Sequence, residues 1–518
     1  MEKSDSVGEA LVRLTEDVCA ALGASPWSEA QVLQALEAFN SHFHDPALRE
    51  FTKSPEEKSQ KQRFVEALLG LLENEAERSL PEQLVAAALR ALCVIAREKQ
   101  PPAALIQENV VELLLRKANL VEQTTPYTAE VQEEATKSLV NIVILNNSLK
   151  SLFYNSEHTP VQRLIKRLKE QGTDKCFATG RLLLHLALDR PKVKQLNEMG
   201  AVDVVIDLLE QVVSGVESNG ALKPKDIALG MDLLRMLFAL TVFLGPLETP
   251  PNPPPTEEEK AQWKRLAPFI QTIMNLPMEP RYHELKHAAV NCLINTPQGC
   301  ADYFTLNERT FKSLTLYLKA ELDQEDETQV VPILMVLLAV VTGIPVARAY
   351  CLNFCFPNKP PPIEGGKQAV EPPPNWQENP VGSKLIKLIT SFNSAVKHYV
   401  TEFIFALCGS DVDEFVRYVG FGNASAMMAQ RGLFKAFMGG GGSHASSSSS
   451  SSRTSSSPLR PAFARRAEEG EEPEEEKERQ MADLAERMQR LMDAGVIKVI
   501  TKDDKDKDKD KEKEDDNK

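Results

Sequence analysis

The residues of this chain that most resemble a reaction centre are His283-Glu-Leu-Lys-His287. On a helix, the two imidazoles of such a His-Glu-x-x-His pattern fall one turn apart and can share a zinc ion, with the glutamate as general base for hydrolysis. The flanking residues argue for a different use. Tyr282, Leu285, Ala288, Ala289, Cys292 and Leu293 define the apolar face of that helix, which puts His283 and His287 on roughly the opposite, solvent-facing side. Positions 290 and 293 are valine and leucine, so the longer zinc-peptidase pattern stops there, and the distant carboxylate Glu308 falls in a predicted loop. Two exposed histidines on a structural helix is the favoured expectation. A zinc hydrolase built on His283, Glu284 and His287 is the alternative.

Other chemistry has less support. Gly439 to Gly442 lacks the Lys-Ser/Thr of a phosphate loop, and Gly420-x-Gly422 lacks the third glycine and preceding strand of a dinucleotide site. There is no Gly-x-Ser-x-Gly elbow and no Cys-x-x-Cys pair. Cys93, Cys176, Cys292 and Cys408 lie inside apolar helical patterns, and Cys351 and Cys355 are flanked by Phe354 and Phe356, as in a packed corner. These residues imply no catalytic group, no metal and no cofactor. A net charge of −14 leaves no basic excess for nucleic acid. The longest apolar stretches, 233–244 and 330–341, are too short to enter a bilayer as spans, and Met1-Glu-Lys-Ser-Asp-Ser does not open a signal peptide. The expectation is a soluble, cytoplasmic protein that works by binding.

The elements that would carry such binding are helices. Apolar residues recur at i, i+3, i+4 and i+7, and strand-like alternation is nearly absent. Ser54-Pro-Glu-Glu57, Ser79-Leu-Pro-Glu82 and Thr256-Glu-Glu-Glu259 each predict an N-cap with an acidic residue three places on. Prolines gather at 246–255 and 357–380, between helices. Ala88 to Ile95 is echoed by Ala135 to Ile142, Leu182 to Leu186, Leu233 to Phe238, Ala289 to Leu293 and Ile333 to Leu338, at a step of roughly 45–50 residues. Helices apolar nearly all round must be covered by their own repeat and by both neighbours. This predicts an all-α, armadillo/HEAT-type solenoid over residues 1–437, with one globular helical domain as the alternative. Residues 438–473 read as a disordered Gly/Ser-rich and acidic linker. Residues 474–500 hold a short amphipathic helix, with Met481, Leu484, Met488, Leu491 and Met492 on one face, and its extension. A disordered charged tail fills 501–518.

One segment points to a partner. Val419-Gly-Phe-Gly-Asn-Ala-Ser-Ala-Met-Met-Ala-Gln-Arg-Gly-Leu433 resembles the glycine–aromatic–glycine–asparagine–alanine segment, closed by Arg-Gly-Leu, of the synembryn family. Further similarities cover most of residues 1–500. Ala135 to Val143 resembles a family segment whose groove asparagine corresponds to Asn141, and Val94-Ile-Ala-Arg-Glu98 resembles one whose second groove arginine is Arg97. Cys93 stands where the family has the first of these arginines. Gly180 to Leu186 is similar to another helix, with Arg181 retained, and Gln31 to Asn40 and Asp493 to Lys498 also have counterparts.

The resemblance implies a guanine-nucleotide exchange factor and folding chaperone for heterotrimeric G-protein α subunits (Gα), acting as a monomer on GDP-bound and nucleotide-free Gα. It implies that the groove holds the Gα C-terminal helix, that the segment beyond Gly420 grips the Ras-like domain, and that the partner recruits the protein to the plasma membrane. The partner-binding residues so implied are Arg97, Asn141, Arg181, Gly420, Phe421, Gly422, Asn423 and Arg431. For Gly420 to Gly432 a helix–turn–helix corner explains the glycines equally well: positive φ at the glycines, a cap at Asn423, packing by alanine and methionine. A scaffold with another partner is the alternative function. The family's acidic serine/threonine segment has no counterpart, since Ser443 to Ser457 run into Arg453, Pro458 and Arg460. Acid-directed phosphorylation is therefore not expected.

Overall fold

A computed structural model describes residues 2–45, 54–123, 125–154, 159–219, 221–241, 255–297, 308–324, 326–357 and 380–431. The expected linker, C-terminal helix and tail lie outside the described residues, as does most of both proline-rich stretches. No strand occurs among the described residues. The chain divides into two compact units. One comprises Met1–Leu244 and Pro254–Ser313, the other Gly245–Pro253 and Leu314–Lys518.

The first unit is built from α1 (Glu2–Gly23), α2 (Glu29–His42), α3 (Pro55–Glu73), α4 (Glu75–Arg78), α5 (Glu82–Ile95), α6 (Glu108–Lys117) and α7 (Ala129–Leu145). It continues through α8 (Pro160–Lys175), α9 (Phe177–Ala187), α10 (Val193–Glu198), α11 (Ala201–Asn219), α12 (Pro224–Thr241), α13 (Glu257–Met274) and α14 (Pro280–Ile294). Its helices form two layers. In the inner row α2 packs on α5, α5 on α7, α7 on α9, α9 on α12 and α12 on α14; the outer helices cover them, α8 on α9, α11 on α12 and α13 on α14. Each helix thus meets its sequence neighbours and little else, which is the logic of a helical-repeat array.

The sequence dictates which helices go inside. In α5 every residue from Leu84 to Ile95 is buried except Arg90, so no face is left for water. Five of the six echoing segments lie on this inner row, in α5, α7, α9, α12 and α14. The sixth lies in the second unit, on α16.

Two of the three predicted starts are capping boxes. Ser54 and Thr256 each accept a hydrogen bond from the N3 backbone, of Glu57 and Glu259, and receive the reciprocal carboxylate contact. The third is corrected. Ser79 closes α4 in a left-handed conformation (φ 49°), and α5 starts after Pro81 with no side-chain cap. Pro81 holds its own φ in the pre-helical range and takes over the boundary that Ser79 was expected to make.

The second unit contains α16 (Val330–Gly343), α17 (Pro345–Cys355), α18 (Pro380–Leu388), α19 (Ser394–Leu407), α20 (Val412–Val419) and α21 (Phe421–Gln430). The division between units falls inside α15 (Glu308–Glu321). Apolar α16 is the core of the second unit and packs along α19, with α17 and α18 beside them. No described helix is long and apolar enough to cross a membrane.

Candidate partner-binding surface

The zinc pattern is resolved by its surroundings. His283, Glu284 and His287 do lie on a helix, α14, but the histidines are half-buried rather than exposed, and the Nδ1 of His287 is fully buried. The reason is the inner-row position of α14: packing by α12 and α13 covers more of its circumference than its apolar residues suggest. Glu284, the would-be base, points to Arg235 of α12 at 3.4 Å. Among the described residues no three His, Cys, Asp or Glu side chains gather closely enough to hold a metal ion.

What the inner row presents is a set of polar rungs between successive helices. Asn40 on α2 donates from Nδ2 to the Ala87 carbonyl of α5 at 2.9 Å. Ser138 on α7 donates to the Leu89 carbonyl of α5 at 3.2 Å. Asn141, one turn further along, donates from Nδ2 to the Cys93 carbonyl at 3.1 Å and lies 3.4 Å from the Cys93 sulfur. That carbonyl belongs to the last turn of α5, where the Arg97 amide bonds Val94 and leaves Cys93 without its intrahelical partner. Asn197 of α10 and Asn295 at the end of α14 do the same for Leu240 and Phe238 of α12, both within 2.9 Å. An amide suits the task because one group offers two donors and an acceptor at the end of a short, stiff stem.

Charged rungs run beside these. Arg90 of α5 reaches Glu130 of α7 at 2.8 Å and Glu134 at 3.6 Å. Arg181 of α9 donates from Nε to Asp232 of α12 at 2.9 Å and lies over the Phe177 ring at 4.3 Å. Asp232 also faces Arg235 at 3.9 Å, and Arg235 faces Glu284. The acid at the centre of this chain is nearly buried, with 9% of its side chain exposed, while both arginines stay about half exposed. Each guanidinium therefore keeps donors turned to solvent.

The structure brings Arg97 and Asn141 together around Cys93. Burial pushes the Cys93 thiol up, and the Arg97 guanidinium beside it offsets part of that rise. The Nη1 of Arg97 is buried without a hydrogen-bond partner. Arg181 lies on the next helix of the row, where burial first and Lys150 second lower the pKa of its neighbour His185. Sequence reasoning missed the partners of these residues (Asp232, Arg235, Glu284) and the exposed apolar pair Ile144 and Leu188 at the ends of α7 and α9. The signal was the charge that breaks each otherwise apolar segment.

The other five expected residues form a corner of the second unit. Gly420 has φ 80° and ψ 154°, ends α20 and starts α21. Gly422 is instead an ordinary helical residue of α21, and a Cβ there would meet nothing within 4 Å, so of these two glycines only Gly420 has the expected positive φ; Gly432 lies outside the described residues. Asn423 does cap, but the helix before it: its Nδ2 donates to the Val419 carbonyl of α20 at 2.8 Å. Phe421 is half-buried, while Ala424 and Met428 are fully buried. Arg431 pairs with Glu402 and lies over the Phe405 ring at 4.8 Å, both on α19.

A family model described as "Guanine nucleotide exchange factor synembryn" matches residues 88–507. The chain is 26% identical over 462 residues to Chaperone Ric-8A of Xenopus tropicalis, covering 79% of this chain and 81% of the relative. It is 26% identical over 446 residues to Chaperone Ric-8A of Danio rerio, covering 78% and 77%. A solved engineered protein is similar at 17% identity and a TM-score of 0.48, covering 82% of this chain and 84% of that one. The family match takes in the inner row from α5 onward and the Gly420 corner, so the chain belongs to the synembryn family of guanine-nucleotide exchange factors.

Proposed function

We propose that this protein is an exchange factor and folding chaperone for heterotrimeric Gα, acting in the cytoplasm as a monomer and reaching the plasma membrane through Gα. The observation that carries this reading is the family match over residues 88–507, which spans the inner-row residues Arg97, Asn141 and Arg181. In this reading the inner row receives the C-terminal helix of Gα. The half-exposed Arg181, with donors left over from its bond to Asp232, holds carboxylates or carbonyls at the end of that helix. The acceptor oxygen of Asn141 completes the seat, and Arg97 supports it from below beside Cys93. Gly420, Phe421, Gly422, Asn423 and Arg431 shape the corner that grips the Ras-like domain.

Exchange then follows from an affinity difference. A protein that binds nucleotide-free Gα more tightly than GDP-bound Gα lowers the cost of losing GDP, and GTP binding reverses the preference. The same affinity protects newly made Gα before its first nucleotide arrives, so chaperoning needs no second site. No bond in either protein is made or broken. The test is a pull-down of GDP-loaded Gα on the immobilised full chain, with wild type and with Arg181→Ala. Retention of Gα without nucleotide, reduced in the variant, supports the reading; absence of any complex with several Gα classes ends it.

A further inference from the structure

Lys286 of α14 is 2% exposed, yet its ammonium is not placed among carboxylates. It donates to the Met274 carbonyl at 2.8 Å and the Leu276 carbonyl at 2.6 Å, at the C-terminus of α13, where the helix dipole favours a cation. Its third contact is the Sδ of Met278 at 3.4 Å. An ammonium has three donors, and here two go to strong acceptors and one to a thioether, a weak acceptor. Met278 stands in the α13–α14 connection and is 47% exposed, whereas Met236, Met274, Met427 and Met428 are buried. The side chain of a half-exposed methionine thus touches a buried cation through its sulfur.

We propose that Met278 is a modification site for peroxides, at which oxidation strengthens the α13–α14 connection. The sulfur lone pair attacks one oxygen of hydrogen peroxide, an S–O bond forms and the O–O bond breaks. The departing hydroxide takes the proton left on the new sulfoxide oxygen and leaves as water. Sulfur gives up two electrons and the peroxide is reduced by two. The sulfoxide oxygen is a strong acceptor. A rotation of the exposed side chain brings it to ordinary N–H···O distance, about 2.9 Å, from the ammonium. Methionine oxidation in a core inserts a polar group with nothing to bond; here the group meets a donor already in position.

The test treats the full chain with hydrogen peroxide and follows methionine oxidation by peptide mass spectrometry and amide exchange across residues 274–286. Met278 should be oxidised several-fold faster than Met236, Met274, Met427 and Met428. Exchange across 274–286 should then slow in wild type but not in Met278→Leu, and the added protection seen in oxidised wild type should be missing from oxidised Lys286→Met. If Lys286→Met does not fold, the comparison of wild type with Met278→Leu decides alone. Oxidation of the buried methionines before Met278 would overturn the proposal. So would faster exchange across 274–286 once Met278 is oxidised.

Discussion

Replacing Asn141 by alanine separates two roles that meet in one side chain. In the structure its Nδ2 supplies the Cys93 carbonyl with the partner that the end of α5 lacks, at 3.1 Å. Deleting the amide removes a neutral hydrogen bond, worth about 1 kcal/mol net, and leaves a largely buried carbonyl orphaned, so the local cost is about 1–2 kcal/mol. A loss of 1 kcal/mol in local opening free energy is about a fivefold rise in exchange rate. Amides in the last turn of α5 and the middle of α7 should therefore exchange at least about fivefold faster in Asn141→Ala, while the outer helix α11 is unchanged. The second readout is the GDP release from Gα that the full chain stimulates, measured well below the unfolding temperature. The proposed function expects slower release in the variant, because the Oδ1 acceptor is lost along with the rung. Unchanged exchange in α5 would refute the rung. Unchanged release with faster exchange would show that Asn141 only ties α7 to α5.

Further outcomes follow from other parts of the molecule. A double-mutant cycle on Arg181 and Asp232, read by denaturant unfolding, should give a coupling of about 0.5–1 kcal/mol, kept small because the arginine is half exposed. Gly420→Ala should cost about 1–3 kcal/mol, since φ 80° with ψ 154° is accessible to glycine almost alone. Gly422→Ala, helical and open, should be neutral or stabilising in the same thermal scan. Stability should fall as pH rises above about 9. Burial raises the thiols of Cys292 and Cys351 to about 12, and those of Cys93, Cys355 and Cys408 also upward, so their contribution is full below the ordinary thiol value and is lost as pH climbs toward the folded one. Lys117 and Lys286, lowered by burial to about 8, act oppositely between that value and their ordinary 10.5, but they are outnumbered. Reversible urea unfolding in reducing buffer from pH 9 to 10.5 checks the sign; a midpoint that rises over that window would contradict it.

How much of this was legible in the sequence depended on how local the cause is. The inner row was readable because a helix surrounded by other helices must be apolar on every side, and the five echoes from α5 to α14 are that requirement written out. Capping boxes at Ser54 and Thr256 were readable because they close within four residues. Ser79 was misplaced because the decisive constraint, Pro81, sits inside the motif and moves the helix start past it. The rungs were not legible. Arg181 and Asp232 are 51 residues apart, and Arg90 and Glu130 40, and no fixed period pairs them before the helices are stacked. For the same reason the burial of His283 and His287 escaped a one-helix reading: the covering side chains come from other helices. Gly422 was over-read because two glycines two residues apart look equivalent until one of them is inside a helix.

In the proposed function this helical array acts by holding Gα in its nucleotide-free form. The most direct measurement is the rate of GDP release from purified Gα, followed with and without the full chain and with Arg181→Ala. Wild type should speed release and form a stable complex free of nucleotide until GTP is added, and the variant should have a weaker effect. GDP release at the intrinsic rate across Gα classes, with no complex formed, would contradict it.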